Sequence, residues 1–458
     1  MSLTTRERFA QGQAQRKHLR RAELASWKPQ LRREAEFAPL ALLAASMRGR
    51  VPALVPLKYE RMVCSPFGFF RGAVPVMASD LSLGPNTGIF TQLCGDAHLR
   101  NLGAFAAPDG RLVFDINDFD ETIRGPFEWD VKRMAASLVL AGREAGAKNA
   151  LCRDATRAFL ARYRIAMHGF ARMPVLELAR YMVHRLRSVQ PIAQILNLAE
   201  RATALHNVES LTIPAAKSKS VHLHAPTTEL APPAAGSRIF RTSEPELTRV
   251  RGSSASRVLD SLATYAESLQ PERRHFLAQY TPLDVAFKVV GTGSVGLRDY
   301  CIYLQGNGPG DPLFLQIKEE PRSAYTPYLD EVPEPAHQGR RVVEGQRAMQ
   351  FQSDPFLGWT TIEGRDYIVR QLNDHKGSVQ LDTLKAAALL EYADVCGETL
   401  ARGHARAGDP CRIAGYLGTS ARFDQAIAAF ATEYADQTER DWQALVRSRR
   451  PEKSRKPG

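Results

Sequence analysis

The feature that most constrains this chain is CGDAHLRNLGAFAAPDGRLVFDINDFDE, residues 94–121. Asp96, His98, Asn101, Asp115, Asp118 and Asp120 all fall within it, six side chains able to carry a proton or face a cation. Leu102–Phe105 and Leu112–Ile116 are short apolar runs, and Pro108-Asp109-Gly110 between them is turn chemistry. The runs therefore pair as a hairpin, with Asn101 at its start and Asp118 at its end, side by side. Two oxygen ligands at adjacent strand ends suit a hard cation such as Mg²⁺, which keeps its other positions for water and phosphate oxygens. Asp96, five residues before Asn101, can sit across the same pocket as a general base.

This layout resembles the catalytic and metal loops of the protein-kinase-like superfamily. It is closest to the aminoglycoside and choline phosphotransferase branch, whose catalytic loop reads like GDxHxxN and stands here as GDAHLRN. The resemblance implies that Asp96 is the catalytic base, that Asn101 is a magnesium ligand and that His98 orients the loop. The metal-loop aspartate maps onto Asp118 in NDFDE, with Asp115 as the alternative and Asp120 as a third acidic neighbour. The following PFEWD resembles the segment after that loop, with Asp130 as an anchor.

Phosphoryl transfer also needs a backbone cradle over the phosphates and a cation to hold them. Gly291-Thr292-Gly293-Ser294-Val295-Gly296 is a GxGxxG between two strand-like runs. A dinucleotide-binding loop would open a helix, whereas LRDYCIYLQ is strand-like. A strand–glycine–strand hairpin resembles the kinase glycine-rich loop, which makes Gly291, Gly293, Ser294 and Gly296 nucleotide-binding candidates. Lys318, in LFLQIKEE, lies on the returning strand like the lysine of the kinase VAIK strand. The turn cluster GNGPGD accounts for its long spacing from Gly296. Glu344, in RRVVEGQRAMQ, is the helix-borne candidate partner for that lysine, with Glu319 and Glu320 as alternatives. YIVRQL then leads to a hinge.

The chain order is metal loop, helices, linker, glycine loop, lysine, hinge strand, helix, whereas an ordinary kinase runs from glycine loop to metal loop. The expected fold is therefore α+β, a kinase-like pair of lobes in circularly permuted order, with a small β-rich lobe and a larger helical one. The helix ending LARGHARAGD would bring His404, Arg406 and Asp409 close to Asp96. The expected organisation is a basic helical arm over 1–54, the catalytic part of the helical lobe over 55–206 and a Pro/Ser/Thr/Ala-rich linker over 207–256. A β-rich nucleotide lobe over 257–376, closing helices over 377–446 and a basic tail over 447–458 complete it. SPFGFFRG, CGDAHLRNLG, FDINDFDET, GPFEWDVKR, VVGTGSVGLRDY, DPLFLQIKEE, YIVRQL and LARGHARAGD also resemble the bacterial domain-of-unknown-function family 2252, a likeness that gives no substrate and implies a cytoplasmic setting.

The formal charge of +12 sits almost wholly at the ends: residues 1–34 carry nine Lys/Arg against three Asp/Glu, and residues 447–458 six against one. Neither end interleaves aromatic residues with its charges as a single-strand binder does, so both read as solvated ends, with nucleic acid a secondary partner. No apolar run reaches the roughly 20 residues of a membrane span, and MSLTTRERFAQGQAQRKHLRRAE lacks a secretory h-region. The six cysteines show no metal spacing and read as free thiols, with Cys94 a small buried residue. Arg71 in FFRG reads as structural, with a phosphate contact as the alternative. The expected cofactors are ATP and Mg²⁺, and the expected acceptor is a hydroxyl on a small molecule or protein. AMP transfer, a nucleotide-binding regulator without catalysis and a metal-dependent hydrolase using Asp96, His98, Asp115 and Asp118 are the other readings.

Overall fold

Short apolar runs in VAFK, DYCIYLQ, PLFLQIKE and RDYIVRQ, buried on both faces at their centres, build the largest sheet. The computed structural model describes residues 3–33, 38–183, 188–215, 238–372 and 377–449. Along the chain, β1 (Phe90–Leu93), β2 (Leu102–Ala106), β3 (Leu112–Ile116) and β4 (Ile123–Pro126) come first. They are followed by β5 (Thr212–Pro214), β6 (Arg238–Phe240), β7 (Leu247–Val250), β8 (Thr281–Lys288), β9 (Asp299–Gln305) and β10 (Pro312–Glu319). The last are β11 (Gly358–Ile362), β12 (Arg365–Gln371) and β13 (Gly377–Ser378). Strands β7 to β12 form one antiparallel sheet in the order β11-β12-β10-β9-β8-β7.

Successive side chains of a strand point to opposite faces, and β10 shows the consequence. Leu313, Leu315 and Ile317 pack with Val258 and Tyr265 of the helix Gly252–Glu267. Each fully buried aliphatic side chain of this kind is worth about 1.5–3 kcal/mol. The opposite face carries Phe314, Gln316 and Lys318. Phe314 packs with Val208, Phe240 and Leu372, so β6 and the helix Ala204–Leu211 cover that end of the face. Gln316 and Lys318 are left at the other end, buried but polar. The region 207–256 therefore departs from the expected linker: its described residues supply β5, β6 and β7, and β7 is an edge strand of the main sheet. The rest of it, 216–237, lies outside the described residues, as does 450–458 of the expected basic tail.

The hairpin read from the sequence forms as β2 and β3, with Leu102 opposite Ile116 and Ala106 opposite Leu112; β13 pairs on the outer side of β2. Strands β1 and β4 pair antiparallel, Phe90 opposite Pro126 and Leu93 opposite Ile123. That ribbon gathers the loops 94–101 and 117–122 at one end. Behind it runs the helix Glu128–Glu144. Its apolar stripe (Trp129, Val131, Met134, Ala135, Leu138 and Val139) is buried, but so are Glu128, Asp130, Lys132, Arg133 and Ser137. The helix is thus enclosed on all sides instead of half solvated, because helices on either side close over its polar face as well. Residues 66–82 are helical over Pro66–Gly72 and Val74–Ser82, with Ser65 capping the first through Gly68 N at 2.9 Å. The helices Asn149–Phe170 and Ala387–Ala407 pack closely, Gly397 facing the Phe159 carbonyl so tightly that a Cβ would not fit.

The basic N-terminal segment is docked on the body through part of its described length, although Arg6, Lys17, Arg20 and Lys28 are exposed. Arg16 and Arg21 donate to the carbonyls of Tyr416 and Leu417 at 2.9 and 2.6 Å, at the C-terminus of the helix Pro410–Leu417. Cations are favourable there because the last carbonyls of a helix lack intrahelical partners. Arg32 forms buried ion pairs with Asp80 and with Asp441, the latter at 2.8 Å. All six cysteines are free thiols, Cys94 buried among them. Among the described residues no helix is long and apolar enough to cross a membrane. The fold is mixed α and β, with several antiparallel sheets.

Candidate functional site

The helix Glu128–Glu144 holds the GDAHLRN loop by its first turns. Asp130 accepts from the amides of Cys94 and Gly95 at 2.7 and 3.0 Å, which is the anchoring role expected for it. Tyr325 donates from its hydroxyl to the Gly95 carbonyl at 2.7 Å. Gly95 has φ +83°, and a Cβ there would lie 2.2 Å from the Glu121 carbonyl oxygen, so the close approach of the two acidic loops requires glycine. His404 Nε2 lies 3.2 Å from Asp130 Oδ2, and its Nδ1 lies 2.8 Å from the Tyr163 hydroxyl. The helix carrying LARGHARAGD is thereby joined through Asp130 to the backbone just before Asp96. Of the three residues expected near Asp96, only His404 takes part. Arg406 donates to the Ala179 carbonyl and Asp409 pairs with Arg8.

Asp96 faces the cleft with one oxygen committed. Arg133, fully buried and stacked over the Phe70 ring, places Nε and Nη2 at 2.7 and 2.5 Å from Asp96 Oδ1. Burial raises the Asp96 carboxyl above its ordinary range, and Arg133 opposes that rise. Asp96 Oδ2 lies 3.6 Å from His98 Nε2. His98 is buried, its edge set against Phe67, and it accepts from Arg71 Nε at 3.4 Å. Burial first, then Arg71, Arg133 and Arg100, hold the imidazole neutral. His98 Nδ1 is buried without a hydrogen-bond partner among the described residues.

Asn101 donates from its side-chain nitrogen to the Asp96 carbonyl at 2.9 Å. That contact leaves its amide oxygen as the free end, in the wall of the cleft. Asn117 N donates to the Asn101 carbonyl at 2.9 Å, so the two ends of the hairpin do lie side by side. Asp118 and Asp120 follow in the same wall. Each keeps one buried oxygen, Oδ1, without a hydrogen-bond partner among the described residues. Such orphaned carboxylate oxygens, beside the amide oxygen of Asn101, are hard donors that fit Mg²⁺. Among the described residues no group of three or more His, Cys, Asp or Glu is arranged to hold a metal by itself. Mg²⁺ commonly takes one or two carboxylates and completes its shell with phosphate and water. Asp115 does not join them. It is buried against Arg402 and accepts from the amides of Ile116 and Phe351 at 2.7 and 3.2 Å, so it ties the hairpin to the helix Ala387–Ala407.

Lys318 reaches this acidic wall from β10. It is buried, pairs with Asp120 and lies 4.0 Å from Asp118 Oδ1. Burial works against its charge, but Asp120, Asp118 and Glu320 outweigh it and raise the ammonium above its ordinary value. Burial and then Asp120 push Asp118 upward; for Asp120 the burial effect is overcome by Lys318 and the carboxyl is lowered. Glu344 does not serve Lys318: it is exposed and accepts from Arg340 at 2.7 Å on its own helix, Gln338–Met349. Glu319 points to the opposite face, toward Arg298 and Arg365. Glu320, on the Lys318 face, is buried with both oxygens unbonded among the described residues.

The loop between β8 and β9 closes the cleft. Gly291, Thr292, Gly293 and Ser294 line it, while Gly296, at φ +88°, turns the chain back toward β9. Basic side chains of the segment 50–61 hold the carbonyls of this loop. Lys58 Nζ donates to Thr292 and Gly293 at 3.2 and 2.5 Å, Arg50 Nη1 to Val295 at 2.6 Å, and Arg61 to Gly291.

Residues 50–448 match the family described as an uncharacterized protein conserved in bacteria, domain-of-unknown-function family 2252. The chain belongs to this family. No curated protein and no solved structure matches. The family match begins at Arg50 and so takes in every side chain described around the cleft, while the helix Thr5–Gln15 lies outside it.

Arg133, Lys58 and Arg50 are among the side chains that the sequence pattern did not single out. Arg133 stands three residues after Asp130 in GPFEWDVKR, one turn on, so both reach the same loop; that signal was legible. Lys58 stands four residues before the buried Met62 in a short helix, Val55–Val63, which marks a lysine on an apolar face. Arg50 carried no local signal.

Proposed function

We propose that this family member is an ATP- and Mg²⁺-dependent phosphotransferase resembling the kinase-like superfamily. The observation that carries the reading is one cleft walled by Asp96, Asn101, Asp118 and Asp120 on one side and residues 291–294 on the other, with Lys318 paired to Asp120 behind them. Bound Mg²⁺ would neutralise charge developing on the phosphates. Asn101 and Asp118 would hold it, and Lys318 would hold phosphate oxygens beneath the glycine loop. Asp96, kept in place by Arg133, would accept the proton of an acceptor hydroxyl. A positioned base is worth about 10²–10⁴-fold in rate. AMP transfer from the same site is the variant of this chemistry that these residues equally support.

The closed cleft is small for a nucleotide. The cleft encloses about 90 Å³, whereas pockets for drug-sized ligands enclose roughly 300–1,000 Å³. A nucleoside therefore enters only if the clamped glycine loop lifts. The hydrolase reading loses support because Asp115 is engaged with Arg402.

Calorimetry of ATP with and without Mg²⁺ on wild type, Asp118→Ala and Lys318→Ala tests the reading. Mg²⁺-dependent binding that both substitutions weaken supports one nucleotide site built from both halves of the chain. Absence of binding in wild type overturns it. Turnover lost in Asp96→Ala with ATP binding retained favours the enzyme over the regulator.

A further inference from the structure

Arg50, Lys58 and Arg71 enter the cleft from a part of the chain that neither the glycine loop nor the acidic hairpin supplies. Among the described residues none of the three pairs with a carboxylate within 4.0 Å. Lys58 is 1% exposed and its ammonium meets only the carbonyls of Thr292 and Gly293. Arg50 meets the carbonyls of Ser46 and Val295. Arg71 makes a single hydrogen bond, from Nε to His98, and its Nη groups have no partner among the described residues. Of the carboxylates in the cleft, Asp96 gives one oxygen to Arg133, Asp120 pairs with Lys318 and Glu121 accepts from the Ala324 amide at 2.6 Å. Removing a cation from water without a counter-charge is costly; burial lowers all three from their ordinary values, against Glu121 for Arg50 and Lys58 and against Asp96 for Lys58 and Arg71. A purely structural role leaves that cost unexplained. An anion between the three cations removes it.

We propose that Arg50, Lys58 and Arg71 form a phosphate-binding site in the closed cleft, with Lys58 passing from the glycine-loop carbonyls to the phosphate when the anion arrives. The small enclosed volume fits a phosphate group with little else. Arg71 stands beside His98 and hence beside Asp96, so the bound phosphate lies near the base. Two sources share this chemistry: the terminal phosphate of a nucleotide, or a phosphate already carried by the acceptor. The inference deepens the phosphotransferase reading, but the site itself stands without it.

The test is titration of inorganic phosphate and of pyrophosphate, without nucleotide or metal, into wild type, Lys58→Met and Arg71→Met, with thermal melts as the check on folding. Hydrogen bonds to charged groups contribute about 1.5–3 kcal/mol, so each substitution should weaken binding about tenfold or more. No binding in wild type, or unchanged binding in a folded Arg71→Met protein, overturns the proposal. Arg71→Met decides if Lys58→Met fails to fold, since Arg71 makes only one hydrogen bond. ATP is then added to the phosphate-saturated protein. Displacement of phosphate supports the nucleotide source; simultaneous binding supports a phosphorylated acceptor. Phosphate binding without any ATP binding would sustain this site and sink the nucleotide reading.

Discussion

Lys318 and Asp120, separated by 198 residues of sequence, form an ion pair at the back of the cleft. The pair joins the six-stranded sheet to the acidic loop after β3. The lysine is 5% exposed at its side chain and the aspartate 24%, so water screens the contact only in part. Asp118 stands close enough to share the same ammonium.

Lys318→Met leaves two neighbouring carboxylates without their cation. Breaking a buried pair from one side costs roughly 3–5 kcal/mol, and the partial exposure of Asp120 places this case at or below the lower end. Asp120→Asn in the same background removes one of the stranded charges. Urea denaturation of the four proteins of the cycle should give a coupling on the order of 1–3 kcal/mol. Strictly additive losses would mean that the pair contributes nothing to stability.

Asp96 must be ionised to accept a proton, and burial raises its carboxyl while Arg133 holds it down. The acid limb of kcat/KM is therefore expected above the ordinary carboxylate range of about 4. Arg133→Gln removes the opposing charge and should move that limb to still higher pH, with slower turnover at neutrality. A pH profile whose acid limb stays where it was in Arg133→Gln would take Asp96 out of the role of base.

The strands and the hairpin were legible because their physics is local. VAFK, DYCIYLQ and PLFLQIKE are short β-branched and aromatic-rich apolar runs bounded by turn residues, and Pro-Asp-Gly is a turn in any context. The buried character of the helix Glu128–Glu144 was not legible, because it comes from helices elsewhere in the chain that cover its polar face. Asp118 and Asp115 look alike in FDINDFDE, and only the position of Arg402, almost 290 residues on, separates them. Glu344 failed for a related reason. Its helix was read correctly, but the rotation that turns Glu344 outward depends on Val342, Val343 and Gln346 being taken into the interior.

Glu344 is exposed and contacts only Arg340, a helix-surface pair worth about 0.3–0.5 kcal/mol. Glu344→Ala should leave ATP affinity within twofold of wild type and shift Tm little. A large loss of ATP affinity would restore Glu344 as the partner of Lys318 in the ligand-bound form.

Asp299 lies opposite Lys318 across the β9–β10 pair and accepts from Gln316 Nε2 at 2.7 Å. Burial, only partly offset by Lys318, raises its carboxyl to about 7. Between the unfolded value of about 3.9 and that folded value, the native state keeps a proton that the unfolded chain has released. The stability this group contributes is present at low pH and is lost as pH rises through the folded value. Asp299→Asn removes the loss, so the stability of the variant relative to wild type should grow between pH 4 and 7 and level off above. The full rise is on the order of 4 kcal/mol. A difference that stays flat over that range would show that Asp299 titrates normally.

Two glycines of similar backbone conformation separate strain from crowding. Gly110, in the turn between β2 and β3, has φ +80° and nothing within 4 Å of a built Cβ. Gly95 has φ +83° and the Glu121 carbonyl in the way. Gly110→Ala meets only the left-handed backbone cost, about 1–2 kcal/mol, and should keep phosphate and nucleotide binding. Gly95→Ala meets that cost and must also push the two acidic loops apart, which moves Asp96 relative to Asp118 and Asp120. Its Tm should fall further than that of Gly110→Ala, and any turnover should drop by two orders of magnitude or more, because a displacement of about 1 Å at a reacting centre costs on the order of 10²-fold. Equal melting points and equal activity in the two variants would mean that the loops do not depend on their contact at Gly95.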